Sequence, residues 1–295
     1  MKHVLIAGSS SFIGKAFEAW AQEYFSDGLQ VSSISLRGNE WRKAEFSKFD
    51  TILFCCGIAH VDTGRLSRRE KREYYRVNRD LCLLAAKKAK REGVSQFIFL
   101  SSAIIYGEAA PCGQRKRITE KTEPSPSSVY GDSKWQADRM VRELASGNFH
   151  VAVLRLPMVY GKGSKGNYPR LSAMAKRLPV FPDLDNERSM LHIDNLTELL
   201  CRLILEGSGG IFFPQNAEYV RTTDLVREIA RVNEHRIRIV KGFGPFIYVF
   251  SRLPGRLPRM VSKAFGSLSY DEEMSVCGFD YRITDFRTSI ERTEL

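Results

Sequence analysis

Near-continuous apolar runs alternating with helix-length amphipathic segments constrain this chain more than any other feature. Val4–Ala7, Gln30–Leu36, Thr51–Cys56, Gln96–Ser101 and Val151–Leu156 read as strands. Between them lie helical patterns over about Phe12–Tyr24 and Glu70–Arg91, and one opened by Tyr130 with Ala137, Met140, Val141 and Leu144 on its apolar face. Strands that are apolar on both faces need cover on both faces, which parallel strands linked by helical crossovers provide. The expected class is α/β, a doubly wound parallel sheet with its ligand beyond the carboxyl ends of the strands. After about Gly161 the pattern loosens. Lys162–Arg188 is loop-rich, Asp194–Leu205 is a periodic helix, Gly210–Phe213 a short strand, and one more helix starts at Thr222 before the chain turns irregular. The reading is therefore a first domain of residues 1–161 with a returning segment 189–215, and a smaller C-terminal substrate domain drawn mainly from 162–295.

With 43% hydrophobic residues the chain can bury a core, which excludes disorder as its dominant state. No run approaches the roughly 18–20 apolar residues of a membrane span, and the apolar start is too short for a signal peptide, so a cytoplasmic protein is expected. Six cysteines form no CxxC pair, and Cys55–Cys56 lie inside an apolar run, which reads as reduced thiols with no metal site. The net charge of +11 suits phosphorylated ligands, nucleic acid or an anionic membrane. No nucleic-acid-binding motif accompanies it, so nucleic acid is not an expected partner. The charge runs Arg65–Arg76 and Lys87–Glu92 read as solvated helix faces.

Gly8-Ser9-Ser10-Ser11-Phe12-Ile13-Gly14 joins the first strand to the first helix. Gly8 permits the tight turn, Gly14 close packing on the sheet, and the helix N-terminus offers N–H groups to a pyrophosphate. Ser11 stands where such a loop usually carries a central glycine. The second strand ends without the acid that would bond a ribose 2′-hydroxyl; Arg37 follows, either as a 2′-phosphate partner or as a surface arginine. Tyr130 and Lys134 are four apart on one helix, so they share a face. A lysine ammonium beside the phenol would lower its pKa toward neutrality and make Tyr130 a general base. Ser101 and Ser102, at the end of the fourth strand, either finish that strand or offer a hydroxyl to the alcohol that Tyr130 deprotonates.

In order along the chain these motifs are Gly8-x5-Gly14, Cys56-Gly57-Ile58-Ala59-His60, Asn78, Ser101-Ser102-x3-Tyr106-Gly107, Tyr130-x3-Lys134, Arg155-x-Pro157-x-Val159-Tyr160-Gly161 and Arg188-Ser189-x2-His192-Ile193-Asp194-Asn195-Leu196. From Val4 to about Gln215 the sequence resembles the extended short-chain dehydrogenase/reductases, the NAD-dependent epimerase/dehydratase group acting on nucleotide sugars. The resemblance implies a Rossmann-type sheet, NAD or NADP as cofactor, and a nucleotide-sugar 4-epimerase working on a UDP-hexose or UDP-N-acetylhexosamine for surface polysaccharide. It implies that Ser102 and Tyr130 hold the sugar hydroxyl and that Lys134 also bonds the nicotinamide ribose. Gly8, Ser11, Phe12, Ile13 and Gly14 would line the pyrophosphate. Cys55, Cys56, Gly57 and Ala59 would pass beneath the cofactor, with Asn78 beside them and Pro157 near the nicotinamide. Asn167 and Arg188 match positions that hold the nucleotide part, Arg188 as the diphosphate partner. Sugar 4,6-dehydratases of the group carry an acidic pair where this chain has Ala103 and Ile104, which disfavours dehydration. The alternatives are an NADPH-dependent reductase of a UDP-4-keto sugar and a non-catalytic NAD(P)-binding sensor or scaffold. A lipid-diphosphate-linked sugar is the other carrier left open, and a homodimer is compatible with the resemblance.

Between Glu234 and Asp271 there is no acidic residue, although the chain has 34; Arg236, Arg238, Lys241, Arg252, Arg256, Arg259 and Lys263 are interleaved there with Phe243, Phe246, Ile247, Tyr248, Val249 and Phe250. Residues 235–270 read either as a substrate-domain wall with a basic rim or as a peripheral surface for the inner face of the membrane.

Overall fold

The computed structural model describes residues 1–58, 66–251, 253, 255 and 265–295. Ala59 and the arginines at 252, 256 and 259 lie outside the described residues. The chain divides into two compact units, the first of Met1–Gly107, Pro124–Leu156 and Ile193–Pro214, the second of Glu108–Glu123, Pro157–His192 and Gln215–Leu295. The first unit matches the Rossmann-type expectation. The second also takes Glu108–Glu123, Pro157–Gly161, Ser189–His192 and Gln215, which the sequence pattern placed in the first.

The first unit is built on six parallel strands: β1 (Lys2–Ala7), β2 (Leu29–Ile34), β3 (Thr51–Phe54), β4 (Gln96–Ser102), β6 (His150–Leu156) and β10 (Gly210–Phe212). Their spatial order is β10-β6-β4-β3-β1-β2. Strand alternation sends Leu5, Ala7, Ile52, Phe54, Phe97, Phe99, Val151 and Val153 to one face, where they form a buried cluster with Ala85, Ala86, Ala89, Ala137 and Val141. Those partners belong to α3 (Leu81–Arg91) and α4 (Val129–Arg142). The opposite face, with Val4, Ile6, Leu53, Ile98, Ala152 and Leu154, is equally buried. Helices α1 (Phe12–Tyr24) and α6 (Ile193–Glu206) pack on each other, Trp20 Nε1 donating to Glu198 Oε2 at 3.1 Å. Each buried Leu, Ile or Phe contributes about 1.5–3 kcal/mol, so this double cover is the main stabilising term of the unit. The helix expected over Glu70–Arg91 is α2 (Arg68–Tyr75) running into α3 through a π-helical turn at Arg76–Asp80.

Among the described residues the second unit has no large sheet. It holds three two-stranded parallel pairs: β5 (Arg117–Ile118) with β12 (Ser269–Tyr270), β7 (Met158–Tyr160) with β9 (Met190–His192), and β8 (Val180–Pro182) with β11 (Arg238–Val240). Its core gathers Tyr160, Tyr168, Leu171, Phe181, Met190, Val226, Ile229 and Ile290. The helices are α5 (Asn167–Ala175), α7 (Thr222–Val232), α8 (Gly244–Ser251) and α9 (Phe286–Glu294). The loop-rich reading of Lys162–Arg188 is corrected by α5 and β8, and the irregular tail by α8 and α9. Helix α9 is held by Glu294, whose carboxylate accepts from Tyr168 Oη at 2.9 Å, Ser172 Oγ at 3.1 Å and Asn233 Nδ2 at 3.1 Å.

Candidate active site

The loop after β1 is shaped for a close ligand. Gly8 has φ +127°, and a Cβ there would lie 3.0 Å from both the backbone N and the Sγ of Cys56. A Cβ on Gly14 would fall 2.6 Å from Ser11 Oγ and 2.9 Å from Ile6. Ser11 explains the missing central glycine. It adopts φ −75°, open to any residue, and its hydroxyl caps α1 by accepting from Gly14 N at 2.9 Å. The N–H groups of Phe12 and Ile13 open the helix and have no intrahelical partner, as an anion requires.

Under this loop, Cys55 and Cys56 follow β3. Burial pushes their thiols up, Cys55 to about 12 and Cys56 to about 11, so both remain neutral and are not nucleophiles. Beyond β2, which ends at Ile34, Arg37 is exposed and close enough to Cys56 to act on its thiol electrostatically. Gly57 is another tight approach, since a Cβ there would meet Asn78 Oδ1 at 3.3 Å and Lys134 Nζ at 3.4 Å. Asn78 itself is fully buried in the π-helical turn. Its Oδ1 accepts from Ile58 N at 2.8 Å, and its Nδ2 donates to Ile58 O at 3.2 Å and Ser133 Oγ at 3.1 Å. Ser133 Oγ donates in turn to Tyr130 O at 2.8 Å. With its amide spent on protein, Asn78 positions the Gly57–Ile58 backbone against the first turn of α4.

Tyr130 sits in that first turn, which begins behind the N-cap Ser128; Ser128 Oγ accepts from Gly131 N at 3.1 Å. The Ser102 hydroxyl, at the end of β4, accepts from Ile104 N at 3.4 Å and lies close enough to the Tyr130 phenol to lower its pKa. Tyr74 lies beside it, with ring centroids 6.3 Å apart. Burial raises the Tyr130 pKa, Ser102 lowers it, and Tyr74 adds to the rise. This corrects the expectation that Lys134 brings the phenol toward neutrality. The Lys134 ammonium turns to the sheet: Nζ donates to Leu100 O at 2.8 Å and stands 4.8 Å above the Phe99 ring, and burial lowers its own pKa.

A buried polar network, invisible in the motifs, supports this face. Asp138, one turn beyond Lys134, is fully buried. Its Oδ2 accepts from Ser101 Oγ at 2.9 Å and Arg155 Nε at 3.0 Å, and its Oδ1 from Arg142 Nε at 2.9 Å and Arg155 Nη2 at 3.2 Å. Arg155 Nη1 also donates to Tyr106 Oη at 2.6 Å. Ser101, Tyr106 and Arg155 of the motifs therefore join α4 to β4 and β6, while Ser102 faces the phenol. Sequence reading missed Asp138, Ser133 and Tyr74, which only tertiary packing brings to these places.

In the second unit, Pro157 joins β6 to β7, and Asn167 is the exposed first residue of α5, behind Gly166. Arg188 exchanges backbone hydrogen bonds with Val220, and desolvation brings its guanidinium down to about 10. A cation held out of water gains more from a diphosphate than an exposed one does.

Comparisons with known proteins agree with this geometry. The chain is 27% identical over 252 residues to the UDP-glucose 4-epimerase of Vibrio cholerae, covering 78% of this chain and 75% of that one. It is 24% identical over 217 residues to the N-acetyl-alpha-D-glucosaminyl-diphospho-ditrans,octacis-undecaprenol 4-epimerase of Escherichia coli O157:H7, covering 67% and 62%. The fold is shared with the UDP-glucose 4-epimerase of Thermus thermophilus solved with NAD, at a TM-score of 0.70, 17% identity and coverage of 99% and 97%. Residues 4–212 match the family described as NAD dependent epimerase/dehydratase. That match spans more than two thirds of the chain, which thus belongs to the NAD-dependent epimerase/dehydratase family.

Proposed function

We propose that the protein is a nucleotide-sugar 4-epimerase acting on a UDP-hexose or UDP-N-acetylhexosamine in surface polysaccharide synthesis. The observation that carries this reading is the Ser102 hydroxyl beside the Tyr130 phenol on a chain with Ala103 and Ile104 in place of an acidic pair. Gly8, Ser11, Phe12, Ile13 and Gly14 would hold the pyrophosphate of NAD(P), with Arg37, Cys55, Cys56, Gly57, Lys134 and Pro157 around the rest of it; their tight glycine approaches fit a ligand at the backbone. When bound, the nicotinamide supplies the hydride acceptor and donor that inversion at sugar C4 requires. Tyr130 takes the proton of the 4-hydroxyl as its oxygen becomes a carbonyl, and returns it when that carbonyl is reduced on the other face. Ser102 holds the same oxygen and donates to the phenolate. Asn167 and Arg188 would grip the nucleotide, leaving the sugar free to turn. The reading extends to a sugar on a lipid diphosphate, the substrate in the name of the Escherichia coli relative.

Because burial raises the Tyr130 pKa, the phenol is protonated at neutrality and turnover is expected to climb along an alkaline limb. Ser102→Ala removes the influence that lowers it, so the limb moves to higher pH. An unmoved limb sinks Ser102 as the phenol's partner.

One observation favours a second reading, an NADPH-dependent 4-keto-sugar reductase: β2 ends in Ile34 and the turn to Arg37 has no acid for a ribose 2′-hydroxyl. The deciding experiment incubates the protein with UDP-glucose and UDP-N-acetylglucosamine and follows C4 configuration by NMR, alongside mass spectrometry of retained cofactor. Interconversion without net cofactor consumption supports the epimerase. Stoichiometric NADPH oxidation on a 4-keto sugar, without interconversion, replaces it with the reductase.

A further inference from the structure

Helix α8 presents apolar side chains outward. Phe246 is 73% exposed and Val249 61%, with Phe243, Phe250 and Leu253 also exposed. Ile247 N–H donates to Phe243 O at 3.0 Å, closing the first turn of the helix. At 100° per residue Phe246, Val249 and Phe250 fall within about 100° of arc, a single stripe flanked by Phe243 before the helix and Leu253 after it. The other side of the helix is anchored: Ile247 packs against the core of the second unit, and a Cβ on Gly113 would lie 2.9 Å from the Tyr248 ring.

Arg236, Arg238 and Lys241, all exposed, precede the stripe along the chain, and no acid occurs from His235 to Tyr270. A contiguous apolar patch with a polar rim marks an interaction surface. Its occupant must supply an apolar phase and negative charge together. A two-fold contact between copies of this chain through the stripe would set the same basic residues against each other. An anionic bilayer supplies both features and needs no complementary shape. At eight residues α8 is about 12 Å long, enough to lie in the interface and far too short to cross it.

We infer that α8 lays this stripe into the surface of an anionic lipid bilayer, with Arg236, Arg238 and Lys241 meeting the headgroups. The chain then works as a peripheral protein on a membrane. The inference does not depend on the epimerase reading, because vesicle binding is read without substrate.

The test is co-sedimentation of the full chain with phosphatidylglycerol-containing vesicles and with pure phosphatidylcholine vesicles, at low and high salt. Binding to the first alone, reversed by salt, is the expected result. Phe246→Ser with Phe250→Ser should abolish it at an unchanged urea midpoint. Should that variant fold poorly, Arg236→Gln, Arg238→Gln and Lys241→Gln together leave the apolar stripe intact and should weaken binding roughly 100-fold. No sedimentation at low salt, equal binding to neutral vesicles, or full binding by the charge variant overturns the inference. So does a wild-type dimer in sedimentation equilibrium that the serine variant loses, which would make the stripe a self-association surface.

Discussion

The two units solve the problem of placing functional groups in different ways. In the first, parallel strands buried on both faces end in a row, and the residues at or just past their ends (Gly8, Cys55–Gly57, Ser102) are placed by sheet register. In the second, three strand pairs of two or three residues each hold segments far apart in sequence, and helices carry most of the core. On the proposed roles, the chemistry falls to Ser102 at the end of β4 and to Tyr130 and Lys134 on α4, both in the first unit, and the grip on the nucleotide to Asn167 and Arg188 in the second. The same proposal makes stability and catalysis coupled in the first unit and separable from specificity in the second.

The strongest test of that division is Tyr130→Phe. It removes only a hydroxyl, so fold and cofactor retention should persist while turnover drops about 10²–10⁴-fold. Wild-type turnover would break the assignment of chemistry to the first unit. Next comes Asp138→Ala, which leaves Arg155 buried without its carboxylate and should cost about 3–5 kcal/mol in urea unfolding. A loss below about 1 kcal/mol would show that the network is not what couples α4 to the sheet. In the second unit, Arg188→Met should raise KM for a nucleotide sugar by roughly 10–100-fold, the scale of a charged hydrogen bond, with kcat nearly unchanged. A fall in kcat at constant KM would erase the separation. The smallest effect is expected of exposed Arg37: Arg37→Ala should weaken NADPH by about 1–3 kcal/mol and leave NADH nearly unaffected, by calorimetric titration. Equal losses for both cofactors remove Arg37 as the discriminator.

Much of the first unit was legible because its signals are local. The span Phe12–Tyr24 expected for the first helix is the span observed, and Tyr130 and Lys134 share the face that their spacing demanded. What that face does was less legible. The spacing brought the lysine near but gave no sign that Leu100 O would take its ammonium, or that burial would dominate the phenol. The second unit was harder to read, since two-residue strands such as Arg117–Ile118 carry no periodicity. Phe286–Glu294 did carry a local signal: Asp285 accepts from Thr288 N at 2.9 Å, an Asp-x-x-Thr cap before a mostly polar helix. Asp138 belongs to none of the motifs, and only the folded chain reveals three donor residues from β4, β6 and α4 itself around it.

The pairing of Arg117 with Ser269 also sets a timetable. During synthesis the chain emerges from its amino end at about 5–20 residues per second, and parallel pairing between distant segments must wait for both partners. Strand β5 is made early but has nothing to pair with until the last tenth of the chain appears. Helix α9, Phe286–Glu294, which packs in the same unit, is made later still. The first unit can pair all six of its strands once Phe212 is made, and in the second β7 can pair with β9 and β8 with β11 once Val240 is made, so β5 waits longest. Termination between Val240 and Ser269 therefore yields a product with its large sheet complete and β5 unpaired, a natural substrate for quality-control proteolysis.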